Sequence, residues 1–271
     1  MQRHDSGVVP RKSLHMERKI QQLMTFRFGP EMVTIRVGLG DNTHIFPVYE
    51  NVICKSSKFI QNALKGDCRD PEYRMVQLPE FPSDDFEVYH VWLLTGRLHS
   101  KDGDTFYDPD GSAQAVKMYE TSLWWEMAKL GNLSHLGHYL LDTDFTDAVS
   151  DAMIQCMTEL QTLKCAFPVE KGPSMIAKLP EASPTRTLIF GLVAWTTSEE
   201  QMQQICDQQR EHPTEKQYLD FMIGVSMALA SRFTSPTPTM SPLEGWKSPE
   251  TACKYHSHGE GKHCYLKTKM H

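Results

Sequence analysis

The 271-residue chain is 40% hydrophobic and 23% charged, with a formal net charge of −6. That composition predicts a globular, soluble protein with a real core, in one large domain or two small ones. Residues 100–245 hold ten basic and twenty acidic side chains, against six and two in residues 1–29 and five and two in residues 246–271. This disfavours nucleic-acid binding by the middle of the chain.

No apolar run approaches the ~18 residues of a membrane helix, and the N-terminus lacks the apolar core of a secretory signal. Seven cysteines without regular spacing fit reduced thiols inside the cell, in cytoplasm or nucleus. Residues 1–30 read as an N-terminal arm, disordered to residue 12 and then helical from Leu14 to Phe26, with Leu14, Ile20, Leu23 and Met24 as a thin apolar side. Val33, Ile35, Val37 and Leu39 alternate with Thr34, Arg36 and Gly38, predicting a strand over 33–39. Gly40-Asp41-Asn42 supplies a hairpin turn into a second strand, 44–48. Ser56 or Ser57 caps a helix over 56–64, whose Phe59, Ile60, Ala63 and Leu64 share a side, and Gly66 is placed to end it. A short strand over 74–78 ends V-Q-L-P-E. A helix over 84–95 follows, capped by Ser83, with Asp84 and Asp85 in its first turn and Phe86, Tyr89, Trp92 and Leu93 on its apolar face. Strands first and helices after predict an α+β fold.

In order, these parts are V-T-I-R-V-G-L, a G-D-N turn, H-I-F-P-V, C-K-S-S-K-F-I-Q-N-A-L-K-G, V-Q-L-P-E and F-P-S-D-D-F-E-V-Y-H-V-W-L-L-T-G-R-L. The series resembles the BTB (POZ) domain, most closely the small BTB proteins of filamentous fungi, over residues 31–141. The resemblance implies a small sheet flanked by helices, with Trp92 buried where they meet, and a non-enzymatic protein–protein interaction module. It implies homo- or hetero-association through this domain, in the homodimer with the 14–26 helix packing across the two-fold axis. It also implies service as an adaptor on a cullin scaffold of a ubiquitin ligase, or as a tether of transcriptional regulators. Two positions depart from the family pattern. Cys68-Arg69-Asp70 stands where cullin-docking members carry a bulky apolar residue, any residue, and Glu. Val48-Tyr49-Glu50 replaces V-H-K, reversing a charge at a turn expected to be exposed.

Residues 100–112 read as an exposed acidic loop, without the ligand order of a calcium site. Val116, Tyr119, Leu123, Met127 and Leu130 predict a helix over 116–131, and Leu133, Leu136 and Leu140 a second over 133–141. A helical extension over 145–231 follows. It opens with the stripe Phe145, Ala148, Val149, Ala152, Met153, Cys156, Met157 and Leu160, and continues through a Pro/Gly connection to a helix over 185–196. Its last helix starts at Thr214, whose spacing to Gln217 makes a capping box. Residues 234–251 read as a solvated linker with Ser-Pro or Thr-Pro at 235, 237, 241 and 248, either a plain spacer or a target of proline-directed kinases.

No nucleophile elbow, H-E-x-x-H or phosphate-binding loop occurs, so no enzyme is expected. Paired acids such as Asp84-Asp85 and Glu199-Glu200 read as solvated helix starts, and His44, His90, His99, His135 and His138 as structural or exposed. The tail over 252–271 differs. Cys253, His256, His258 and Cys264 stand as C-x2-H-x-H-x5-C, with His263 as a spare nitrogen, and four sulfur and imidazole donors are the set a tetrahedral zinc ion takes. Similar Cys/His clusters end many of the fungal BTB proteins that the chain resembles. The competing reading is a tail that happens to be rich in Cys and His. A functional alternative follows from the same tail, a zinc-dependent chromatin or nucleic-acid regulator using its basic residues.

Overall fold

The computed structural model describes residues 29–65, 74–101, 111–234, 240–247, 251, 253–258 and 261–268. The chain is α+β and divides into two compact units, Met1–Glu80 and Phe81–His271. The expected Leu14–Phe26 helix, Gly66, Cys68-Arg69-Asp70 and residues 102–110 of the acidic loop lie outside the described residues.

The first unit is built on β1 (Met32–Val37), which pairs with β2 (His44–Tyr49) antiparallel and with β3 (Met75–Leu78) parallel, giving the order β2-β1-β3. Ile35 sits opposite Phe46 on one side and Val76 on the other. Val33, Ile35 and Val37 are buried, as the alternation predicts, with Val48, Val76 and Leu78. The strand stops at Val37 and leaves Leu39 exposed, because Gly38 turns the chain at φ +89°. A Cβ at Gly38 would stand 2.4 Å from the Asn42 carbonyl oxygen. Gly38 and Gly40 therefore carry the positive φ of this turn, while Asp41 and Asn42 lie in a 3-10 turn.

Val48-Tyr49-Glu50 is not the exposed turn expected. Val48 and Tyr49 are buried, and Glu50 opens a helix, α1 (Glu50–Ser56), that anchors through Ile53. Both Glu50 carboxylate oxygens accept from the Arg74 guanidinium, at 2.6 and 2.9 Å. In α2 (Lys58–Lys65) the Ser57 hydroxyl accepts from the Ile60 N–H (3.1 Å), the expected cap. Of its expected apolar side only Ile60 is buried, and Ala63 is exposed.

The second unit begins with α3 (Ser83–Thr95). Pro82, not Ser83, is the residue before the first turn, and the Ser83 hydroxyl turns to Asp84 (3.2 Å). Gly96, at φ +69°, closes the helix by donating to the Trp92 carbonyl. Trp92 is buried, with Phe145 and Tyr265 among its ring neighbours. Asp85 is buried rather than solvated.

One continuous helix, α4 (Ala113–Leu140), replaces the two expected at 116–131 and 133–141. Gly131 does not break it. A Cβ there would stand 2.7 Å from Met175 Cγ, so the glycine permits close packing instead of ending the helix. Leu141 takes left-handed φ (+55°). Asp142 then caps α5 (Thr143–Thr162), with Oδ1 accepting from the Phe145 N–H (3.0 Å) and Oδ2 from the Tyr89 hydroxyl (3.0 Å). Leu123 meets Cys156, and Tyr119 meets Glu159, so α4 and α5 run antiparallel. Cys156 is the buried small residue expected, its thiol donating to the Leu123 carbonyl (3.3 Å).

A 3-10 turn (Val169–Lys171) and α6 (Gly172–Ala177) occupy the expected Pro/Gly connection, with Val169, Met175 and Ile176 buried. Then come α7 (Pro184–Thr196), α8 (Glu199–Glu211) and α9 (Lys216–Thr234). No strand occurs from 145 to 231. Leu188, Ile189, Leu192 and Val193 of α7 and Phe221 and Val225 of α9 are fully buried, each contributing ~1.5–3 kcal/mol relative to exposure. Arg232 fastens the far end of α9, its guanidinium 4.1 Å over the Trp195 ring and 2.5 Å from the Ala194 carbonyl oxygen. The capping box is at Ser198 and Gln201, not Thr214 and Gln217, because α9 starts at Lys216.

The expected solvated linker is partly a packed element. Ser241 is buried and its hydroxyl accepts from the Leu243 N–H (3.2 Å), capping α10 (Pro242–Gly245), which packs on α5 and α7. The other three Ser/Thr-Pro pairs lie outside the described residues. The last element is α11 (Tyr265–Thr268). Among the described residues no helix is long and apolar enough to cross a membrane.

Candidate metal centre

Helix α5 starts T-D-F-T-D-A-V-S-D, and the spacing of Asp144, Asp147 and Asp151 by three and four places all three on one face. The tail lies along that face. Lys262 Nζ reaches Asp144 Oδ1 at 2.6 Å and also the Thr143 hydroxyl. The buried Asp147 carboxylate accepts the backbone N–H groups of Ser257 and His258. Asp151 takes His256 Nε2 on Oδ1 (2.9 Å) and the Tyr265 hydroxyl on Oδ2 (2.6 Å). Tyr255, His256, Cys264 and Tyr265 are buried as a result. None of these three aspartates stands out in the sequence as a partner of the tail.

These contacts gather the four expected donors. One ligand atom each from Cys253, His256, His258 and Cys264 lies within 4.8 Å of every other, a cluster that could hold a metal ion. His263 is exposed and is not among them. An ion bound tetrahedrally at ~2.0–2.3 Å sets sulfur and nitrogen about 3.6 Å apart. Cys264 Sγ and His256 Nδ1 are 3.6 Å apart.

Electrostatics agree with that use. A carboxylate only accepts, so Asp151 places the His256 proton on Nε2 and leaves the Nδ1 lone pair turned toward Cys264. Burial lowers the His256 pKa, but the Asp151 and Asp147 carboxylates outweigh it and hold it above the ordinary value. Burial and the neighbouring Cys253 thiol push Cys264 up to about 11; a divalent ion reverses this by stabilising thiolate. His258 Nε2 is buried with no hydrogen-bond partner among the described residues, an orphan that a metal bond would satisfy. Cys253 is exposed and completes the set from the solvent side.

Two of the scattered histidines are otherwise engaged. His138 Nε2 pairs with the Ser183 hydroxyl (2.8 Å), and His135 packs on Phe81 (4.9 Å between rings). Comparisons with family models, with curated proteins and with solved structures find no match to this chain.

Proposed function

We propose that the chain is a non-enzymatic interaction protein of the BTB type whose tail is fastened to its helical unit by a structural zinc ion. The observation that carries the zinc reading is the convergence of two thiols and two imidazoles within 4.8 Å of one another. Structural zinc sites close all four positions with protein ligands, whereas catalytic ones keep a position open. Cys253, His256, His258 and Cys264 would close all four. Elemental analysis of protein purified without chelator should give about one zinc per chain, lost in Cys253→Ser or Cys264→Ser. Metal-free protein under those conditions rejects the site.

The BTB reading is supported by order of parts. The hairpin β1–β2, helices α1 and α2, strand β3 and helix α3 follow one another, matching the run of motifs that carries the resemblance. Self-association and service as a cullin adaptor follow from that reading. Light scattering at tens of micromolar should give twice the chain mass, falling to the monomer when residues 1–30 are removed. Binding to a cullin N-terminal domain tests the adaptor role.

One observation favours this over the nucleic-acid alternative. The tail's Lys262 is spent on Asp144 and Thr143 of its own chain. A nucleic-acid factor should bind with affinity falling steeply as salt rises; an adaptor should show no such binding.

A further inference from the structure

In the helical unit a cleft of about 230 Å³ is lined by Leu98, Ser100, Lys101, Glu126, Cys156 and Glu159, among others. Its charges are unevenly served. Glu159 is well supplied, with Lys101 Nζ at 2.7 Å, the Tyr119 hydroxyl at 2.5 Å and the Gln155 amide at 3.4 Å. Glu126 is 7% exposed. Its Oε1 accepts from the Ser100 hydroxyl (2.5 Å), while Oε2 is buried without a hydrogen-bond partner among the described residues. The Cys156 thiol lies beside it, a weak S–H donor shared between this carboxylate and the Leu123 carbonyl (3.3 Å). The cleft thus holds two carboxylates against one ammonium and the exposed imidazole of His99. The ammonium's charge also reaches Glu126, but its hydrogen bond goes to the other carboxylate.

We propose that this cleft binds a small organic cation, through an ammonium or guanidinium group that donates to Glu126. A buried acceptor without a donor is costly, and a charged N–H supplies both the missing hydrogen bond and the missing charge. A neutral donor would leave the carboxylate uncompensated. The volume equals that of about eight waters, room for a group the size of an arginine or lysine side chain, and Leu98 and Ala152 offer apolar wall to its stem. The cation has two possible sources, a free amine or guanidine and a basic side chain of a partner protein. The site is independent of the zinc and BTB readings.

Calorimetric titration of the full chain tests this with two probes: agmatine, and an acetylated, amidated Gly-Arg-Gly peptide. At least one should bind with 1:1 stoichiometry, and about tenfold or more weaker in Glu126→Gln. Ala152→Met, which fills the cleft and leaves its charges alone, should weaken binding as well. Glu181→Gln, at an exposed acid elsewhere, should leave it unchanged. Tighter binding of the peptide marks a partner's side chain as the source, and tighter binding of agmatine a free molecule. Far-UV circular dichroism identifies any variant that fails to fold, and the remaining one then carries the test. No binding of either probe at millimolar concentration, or equal binding by wild type and a folded Glu126→Gln, overturns the proposal.

Discussion

Asp151 and His256 are 105 residues apart in the chain and 2.9 Å apart in the fold. That contact selects the imidazole tautomer, so a residue outside the four donors sets the direction in which one of them presents its lone pair. Asp151→Asn is expected to retain the site but weaken it. Outer-shell carboxylates of this kind are worth about 10–100-fold in metal affinity. Competition against a chelator of known affinity measures the loss, and unchanged stoichiometry at saturating zinc separates it from loss of a ligand.

Stripping the metal should loosen the tail and lower the stability of the helical unit. At a free zinc concentration 1,000-fold above Kd, linkage contributes about 4 kcal/mol. Thermal unfolding with and without zinc reads this difference. Hydrogen exchange should show the amides of Ser257 and His258, which point at Asp147, losing protection first. Equal protection in both states would show that the aspartate contacts suffice alone.

Asp85 gives a stability change with pH. Burial is the main force raising its carboxyl from 3.8 to about 6. The folded state therefore holds the proton between about pH 4 and 6 while the unfolded state has released it. By linkage, stability falls as pH rises through that window, and the full penalty remains above pH 6. Asp85→Asn should reduce the slope, leaving the share of the buried Glu126 and Asp147 carboxyls, which burial also raises, and stabilise the protein at pH 7.5 by about 1–2 kcal/mol. Urea midpoints at pH 4.5 and 7.5 check both statements.

Arg232→Lys should cost about 1 kcal/mol. Lysine keeps the charge but gives up the planar stack on Trp195 and the guanidinium bond to the Ala194 carbonyl. The urea midpoint should fall with no change in slope, whereas Lys262→Arg on the tail should leave it nearly unmoved.

What was legible in the sequence was local. Val33, Ile35 and Val37 alternate and form a buried strand face, and four donors within twelve residues do come together. Misreadings arose where one residue type serves two ends. The stripes over 116–131 and 133–141 read as two helices and form one, with Gly131 between them a close-packing position under Met175. Thr214 and Gln217 have capping-box spacing, but Ser198 and Gln201 make the box. Glu50-Asn-Val-Ile carries β-branched residues, and α1 went unexpected. The three aspartates of α5 were illegible for another reason. An acid near a helix start satisfies the dipole and solvent without a partner, so nothing local points to a tail some hundred residues downstream.

That separation orders events during synthesis. At about 5–20 residues per second, the ~100 residues between Asp151 and His256 take roughly 5–20 s to make. The α4–α5 hairpin, built from contacts close in sequence, forms orders of magnitude faster. For those seconds every nascent copy presents Asp144, Asp147 and Asp151 bare to the cell, a brief acidic surface that disappears once the tail arrives.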